Sequence, residues 1–183
     1  MSTRLRNRKA TMRPFLKWAG GKAQLMADYG PLFPTLAPLA TYHEPFIGGG
    51  AVFLHLRNTS SVTGRAVLSD LNEHLITTWT AVRDQPLLLA ERLRALEANH
   101  SREEYYVQRD RYNTEKLSPL DRATILIYLN KAGFNGLYRV ISKGFYNVPV
   151  GRPSQGGLFN QPSHLEREAN AHLSPSCVGS VRE

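Results

Sequence analysis

The heptapeptide Glu44-Pro45-Phe46-Ile47-Gly48-Gly49-Gly50 decides how this chain is read. A short β-prone run, Tyr42 to Ile47, leads straight into the three glycines, and Ala51 to Leu56 (AVFLHL) then has helical character. A second β-prone run, Arg65 to Ser69, ends at Asp70. Strand, glycine turn, helix, strand is the order of a unit whose two strands lie parallel. Glycine lets the backbone take positive φ and approach a ligand closely, and a helix start just beyond the turn offers unpaired N–H groups. Asp70 follows Gly48 by 22 residues. Nucleotide folds place an acid at about that spacing to accept hydrogen bonds from ribose hydroxyls. Turn and acid together point to a cofactor that contains adenosine. The plain alternative is a tight turn beside a solvated aspartate.

Two related nucleotide readings fail on detail. Gly20-Gly21-Lys22 is followed by Ala23, whereas a P-loop needs Ser or Thr after its lysine to reach magnesium. The dinucleotide fingerprint, counted from Gly48, needs glycine where Phe53 stands. A cofactor without pyrophosphate is favoured, and an NAD-type oxidoreductase is disfavoured.

On the N-terminal side, Trp18 adjoins a Gly-Gly turn in Pro14-Phe15-Leu16-Lys17-Trp18-Ala19-Gly20-Gly21-Lys22. An aromatic face there could stack on a purine or shield a cation, and Lys22 could meet a carboxylate. Alternatively, Trp18 is core and Lys22 is surface. Residues 1–12 read as a flexible basic leader, and Ala23 to Tyr29 reads as a short helix stopped by Gly30-Pro31. On the C-terminal side, helices are expected from Asn72 to Arg83 and from Pro86 to Ala98. A third opens at the capping box Ser101-x-x-Glu104, and a fourth at Ser118-Pro119-x-Asp121. Residues 132–157 read as loop and turn with one hairpin, and Leu165 to Leu173 as a polar helix.

The 183 residues are 42% hydrophobic and 21% charged, which suits one globular domain. No apolar run approaches the ~20 residues of a membrane span, and no secretory signal is recognisable. Cys177 is the single cysteine, which excludes a disulfide framework and a multi-cysteine zinc site and suits a reducing cytoplasm. No metal site is expected. The net charge of +8 and pI of about 9.9 suggest a polyanionic partner. Seven basic residues and no acid lie within 1–22. Four more, again without an acid, lie within 131–152, interleaved with Phe134, Tyr138, Phe145 and Tyr146. A solvated leader and loop is the plainer account of this charge.

Taken together, Lys17-Trp18-Ala19-Gly20-Gly21-Lys22, the Glu44–Gly50 stretch and Ser69-Asp70-Leu71-Asn72 resemble the opening motifs of Dam-type (class D12) DNA adenine-N6 methyltransferases. The match continues through Tyr128-Leu129-Asn130-Lys131-Ala132-Gly133-Phe134-Asn135-Gly136-Leu137-Tyr138-Arg139 and Gly144-Phe145-Tyr146-Asn147-Val148-Pro149-Val150-Gly151-Arg152. The resemblance implies an α/β, Rossmann-like, S-adenosylmethionine-dependent fold, incomplete, with a mainly helical target-recognition insertion. Residues 13–84 would form the cofactor part, 85–157 the target-recognition region and 158–183 the start of the return to the sheet. It implies that Trp18, Lys22, Phe46, Gly48, Gly50 and Asp70 hold S-adenosylmethionine. It implies that Phe134, Asn135, Leu137, Arg139, Pro149 and Arg152 touch double-stranded DNA at a GATC-like site. Tyr138 and Val140-Ile141-Ser142 depart from the family pattern, which bears on the exact sequence read.

The family's catalytic motif, Asp-Pro-Pro-Tyr, is missing, since no two of the eleven prolines are adjacent. No catalytic residue is therefore assigned. The chain is expected to hold the N-terminal two thirds of a bacterial or phage enzyme of restriction–modification or of DNA replication and repair. It is expected to be inactive alone, either truncated or one part of a split enzyme with a complementing C-terminal fragment. The alternative is a module that binds cofactor and DNA without chemistry.

Overall fold

The computed structural model of the chain describes residues 11–36, 40–152 and residue 158. The leader up to residue 10, Cys177 and the helix expected between Leu165 and Leu173 lie outside the described residues.

Strands β1 (Tyr42–Glu44) and β2 (Ala66–Leu68) pair in parallel, with Tyr42 opposite Ala66 and Glu44 opposite Leu68. β1 stops short of the expected Ile47 because the chain turns at Pro45-Phe46, which moves the next bond to β2 one residue on, from Phe46 to Ile47. Pairing resumes beyond the proline in a single bond, Ile47 N–H to Ser69 O at 3.0 Å. Between Gly20 and Phe33 the expected short helix is broken into α1 (Met26–Tyr29) and two flanking 3-10 turns, Ala23–Leu25 and Gly30–Leu32. Helix α2 (Ala51–Asn58) makes the crossover from β1 to β2.

Four helices follow: α3 (Glu73–Asp84), α4 (Pro86–Ala98), α5 (Arg102–Thr114) and α6 (Pro119–Ala132). Three open on side-chain caps, of which the sequence suggests those at Ser101 and Ser118. Asn72 accepts from the Leu75 N–H, Ser101 from that of Glu104 and Ser118 from that of Asp121. Each such cap contributes about 1 kcal/mol. Every residue of α6 from Ala123 to Asn130 is buried. A helix that is apolar all round must be central, and α3, α4 and α5 all pack on it. Trp79, Leu75, Leu89, Leu93, Leu126 and Leu129 are fully buried there, each contributing about 1.5–3 kcal/mol on burial. The N-terminal segment joins this core, with Phe15 edge-on to Trp79 at 4.6 Å between centroids. Met12, at the end of the stretch read as leader, is buried and exchanges two hydrogen bonds with the Asn58 amide.

Beyond α6 the chain forms the expected hairpin. Gly133 bridges Val150 and Val140 bridges Tyr146, both antiparallel. The Gly144 N–H closes the tip on Ile141 O at 2.8 Å, with Gly144 at φ +80. The hairpin is seated on α5. The Asn113 amide accepts from the Tyr146 N–H at 2.8 Å and donates to Tyr146 O at 3.0 Å. The Tyr105 hydroxyl donates to Val148 O at 3.0 Å. The described residues thus form an α/β structure of six α-helices and a two-stranded parallel sheet. Among them no helix is long and apolar enough to cross a membrane.

Candidate functional site

Both strands end at the same edge of the sheet, the position beyond which open α/β folds bind their ligands. Gly48 and Gly50 carry the turn there at φ +50 and +73. A Cβ on Gly50 would lie 2.3 Å from Trp79 Cζ2, so no side chain fits. The Trp79 indole N–H donates to Gly48 O at 3.1 Å and fixes the turn from below. Asp70 closes it from the other strand: Oδ2 accepts from the Gly48 N–H at 3.1 Å and Oδ1 from the Asn72 N–H at 3.0 Å. The spacing of 22 residues is therefore spanned by one hydrogen bond. A carboxylate has about four acceptor positions, so roughly two remain for a ligand. Phe46 and Leu71, neighbours of this turn and of Asp70, are 76% and 77% exposed.

Glu44 belongs to this site although the sequence reading gave it no role. The Tyr42 hydroxyl donates to its Oε2 at 2.8 Å, and the Phe53 N–H in the first turn of α2 reaches its carboxylate. Helix α2 carries no acid in its own first turn, and the Glu44 carboxyl stands at its N-terminus. Burial pushes the Glu44 carboxyl up to about 7, against the pull of those two hydrogen bonds. Burial, together with the nearby Glu44 charge, also raises the Tyr42 hydroxyl above its usual range.

Trp18 is half-buried and lies over the turn, its Cδ1 3.1 Å from where a Gly48 Cβ would stand. Its carbonyl accepts from the Gly21 N–H at 3.0 Å. The indole also stacks on Tyr138, with centroids 5.0 Å apart and planes 28° from parallel. Lys22 is exposed and donates from Nζ to Gly20 O at 2.6 Å. The structure thus gathers Trp18, Gly48, Gly50 and Asp70 around one turn, with Phe46 beside it. Lys22 is held within its own turn. Among the described residues no group of His, Cys, Asp or Glu is placed to hold a metal ion.

The six residues expected on DNA are all exposed on the hairpin or its foot. Phe134 and Pro149 are neighbours across the foot, the Phe134 N–H donating to Pro149 O at 2.9 Å. Asn135 is left-handed at φ +54 and projects from a 3-10 turn that continues to Leu137. Arg139 is steadied by Asn147, with Nε donating to Asn147 Oδ1 at 2.7 Å and Nη2 to its carbonyl at 3.4 Å. Arg152 lies just past the last bridge. Asn147 and Asn130 lacked an assigned role in the sequence reading. Asn130 is 1% exposed. It accepts from the Lys17 N–H at 2.9 Å and donates to Lys17 O at 2.8 Å and Gly136 O at 2.7 Å. One signal was available for it: a lone amide in the most apolar helix of the chain.

Comparison with known proteins bears on the same residues. Residues 18–172 match the family model described as D12 class N6 adenine-specific DNA methyltransferase. A Type II methyltransferase from Lactococcus lactis subsp. cremoris is 41% identical over 177 residues, 93% of this chain and 56% of the relative. A Type II methyltransferase from Methanocaldococcus jannaschii is 35% identical, covering 82% of this chain and 56% of its own length. A DNA adenine methylase from Haemophilus influenzae is 38% identical over 152 residues, 78% of this chain and 48% of the relative. The chain spans about half the length of these curated relatives, less than the two thirds expected from its motifs. The family match over 18–172 and this level of identity lead to one conclusion: the chain belongs to the D12 class of N6 adenine-specific DNA methyltransferases.

Proposed function

We propose that this chain is the cofactor- and target-binding portion of a site-specific DNA adenine-N6 methyltransferase. It would hold S-adenosylmethionine at the strand tips and duplex DNA on the hairpin. The observation that carries this reading is the Asp70 carboxylate bonded to the Gly48 N–H at 3.1 Å, with exposed Phe46 and Leu71 alongside. Acceptor sites for ribose hydroxyls and apolar faces for a purine are what a nucleoside requires, so these residues fit the cofactor. The β1–α2–β2 unit is then the first crossover of a Rossmann-like sheet.

In this reading Asp70 accepts from the ribose. Phe46 and Trp18 cover the ligand and keep water from it. Gly48 and Gly50 admit the ligand close to the backbone. Lys22 meets a carboxylate once it leaves the Gly20 carbonyl. When bound, S-adenosylmethionine supplies an electrophilic methyl group on a sulfonium.

On the hairpin, the Nε side of the Arg139 guanidinium faces Asn147. Its terminal edge is left to meet guanine O6 and N7. Asn135 reads a base edge or a phosphate, while Leu137 and Pro149 pack on a thymine methyl. Phe134 wedges into the stack as a base is flipped, and Arg152 holds the backbone. These chemistries suit a GATC-like site. The setting is restriction–modification or DNA replication and repair, in the cytoplasm of a bacterial or phage-infected cell.

No Asp-Pro-Pro-Tyr stands in the sequence to hold an adenine amino group. Positioning of that kind is worth about 7–11 kcal/mol of barrier. The chain by itself therefore binds without transferring methyl, and a complementing polypeptide with that motif restores transfer. Calorimetric titration with S-adenosylmethionine tests the cofactor site. Saturable one-to-one binding that Asp70→Ala abolishes or weakens at least tenfold is expected. Undiminished binding by that variant would overturn the ribose assignment.

A further inference from the structure

We propose that Ile141 and Phe145, at the tip of the hairpin, extend its base-reading face by packing on thymine methyl groups in the DNA that flanks the target site. This rests on the functional reading above and adds a row of residues to it. The register of the hairpin fixes which side chains share a face. Val140 and Tyr146 stand opposite each other, so the residues next to them on either arm point to the other face. There Arg139 stands beside Asn147, with their side chains bonded at 2.7 Å and the Asn147 N–H donating to Arg139 O at 3.1 Å. Ile141 stands beside Phe145, its N–H donating to Phe145 O at 2.9 Å. The same alternation puts exposed Leu137 and Pro149 on this face, while Tyr146 and Val148 behind it are buried. Leu137 with Pro149, Arg139 with Asn147, and Ile141 with Phe145 are therefore three successive rows. The first two carry the side chains given to base pairs above. The third is open to the same side, at 41% and 44% exposure, and has no other role.

The chemistry of the third row selects its partner. Isoleucine and phenylalanine side chains have no hydrogen bond to offer a base edge. The thymine C5-methyl is the one apolar group that a base pair shows in the major groove, and that groove admits a two-stranded ribbon. The charge suits the same partner. Residues 131–152 hold four basic residues and no acid, and Lys143 lies between Ile141 and Phe145 in the turn. The apolar pair is thus offered to a polyanion. Two residues along an extended arm advance about 6.6 Å, close to two base-pair steps of about 3.4 Å. Ile141 lies beyond Arg139, on the side away from Leu137 and Pro149. The thymine it meets therefore stands about two base pairs past the guanine that Arg139 reads, in the flank of the site.

The test is an anisotropy titration of the full chain on two GATC-containing duplexes that differ only in their flanks. One has A·T pairs at three positions on each side of the site. In the other, every flanking thymine is replaced by deoxyuridine, which keeps the pairing and removes the methyl. The wild type is expected to bind the deoxyuridine duplex about fourfold more weakly for each methyl that leaves the contact. Ile141→Ala/Phe145→Ala should bind the thymine duplex more weakly and no longer tell the two apart, with its circular dichroism spectrum unchanged. Val140→Ala is the control: Val140 is 40% exposed but lies on the other face, so this variant should keep the wild-type ratio. If the double variant does not fold, Ile141→Ala decides. Equal affinity of the wild type for the two duplexes overturns the proposal and leaves the functional reading in place. An undiminished ratio in the double variant, or a ratio lost in Val140→Ala as well, also overturns it. If the wild type does not prefer the GATC-containing duplex to random DNA, the functional reading itself fails and this proposal with it.

Discussion

Asp70 holds the glycine turn as well as facing the candidate ligand, so its substitution should register without any ligand present. Asp70→Ala leaves the Gly48 and Asn72 N–H groups without their acceptor, a loss of about 1–3 kcal/mol where they stay out of water. A lower thermal midpoint in the free chain is expected by calorimetry, and an unchanged one would contradict the geometry. Glu44 gives a second prediction. Its carboxyl is raised from 4.5 to about 7 by burial, so the folded chain favours the protonated form. The stability it contributes is fully present below pH 4.5 and is lost as pH rises through about 7. Glu44→Gln should therefore gain stability relative to wild type between pH 5 and pH 8, read from urea midpoints. A difference that stays constant with pH would remove the assignment. The place of Asp70 beside the glycine turn was legible in the sequence from its spacing after Gly48. Glu44, Asn130 and Asn147 were not, because their roles come from partners brought near only by the fold.

At the level of elements, the caps at Ser101 and Ser118 marked two helix starts correctly, since a cap is a local signal. The end of β1 was misjudged because apolar character continues past Pro45 while the chain turns at Pro45-Phe46 and the regular ladder ends. The hairpin after α6 was foreseen from its glycines, but its seat on Asn113 depends on a residue 33 positions away. Glycine substitutions separate local strain from packing. At Gly144, φ is +80 and nothing lies within 4 Å, so Gly144→Ala should cost only the left-handed penalty of about 1–2 kcal/mol. Gly50→Ala adds a collision with Trp79, and overpacking adds about 1–3 kcal/mol more. Chemical denaturation of the two variants should rank them in that order. The hairpin gives a binding contrast. Arg139→Ala should lose about 1–3 kcal/mol on the preferred duplex and less on random DNA, whereas Lys143→Ala should weaken both alike. Anisotropy titrations at one salt concentration check this, and equal losses on both duplexes would take Arg139 off the base-reading face.

For the molecule as a whole, the strand tips and the hairpin are two surfaces on one helical core. Helix α6 is central to both, since it buries the core around Trp79 and carries Asn130, which bonds to the Phe134–Gly136 turn at the foot of the hairpin. The parallel order of the sheet was legible from the strand–turn–helix–strand pattern. The extent of the sheet was not, because a family resemblance carries no count of strands in a chain that spans about half of its relatives. The central claim is binding at both surfaces without chemistry, and one incubation tests it. The chain is mixed in excess with a GATC-containing duplex and tritium-labelled S-adenosylmethionine, and the counts on protein and on DNA are read separately. The account predicts saturable label on the protein, displaced by S-adenosylhomocysteine and reduced by Asp70→Ala, with DNA counts at the level of a no-protein control. Protein that retains no label would contradict the cofactor site, and label in the DNA would show that residues 1–183 hold a catalytic group outside any Asp-Pro-Pro-Tyr motif.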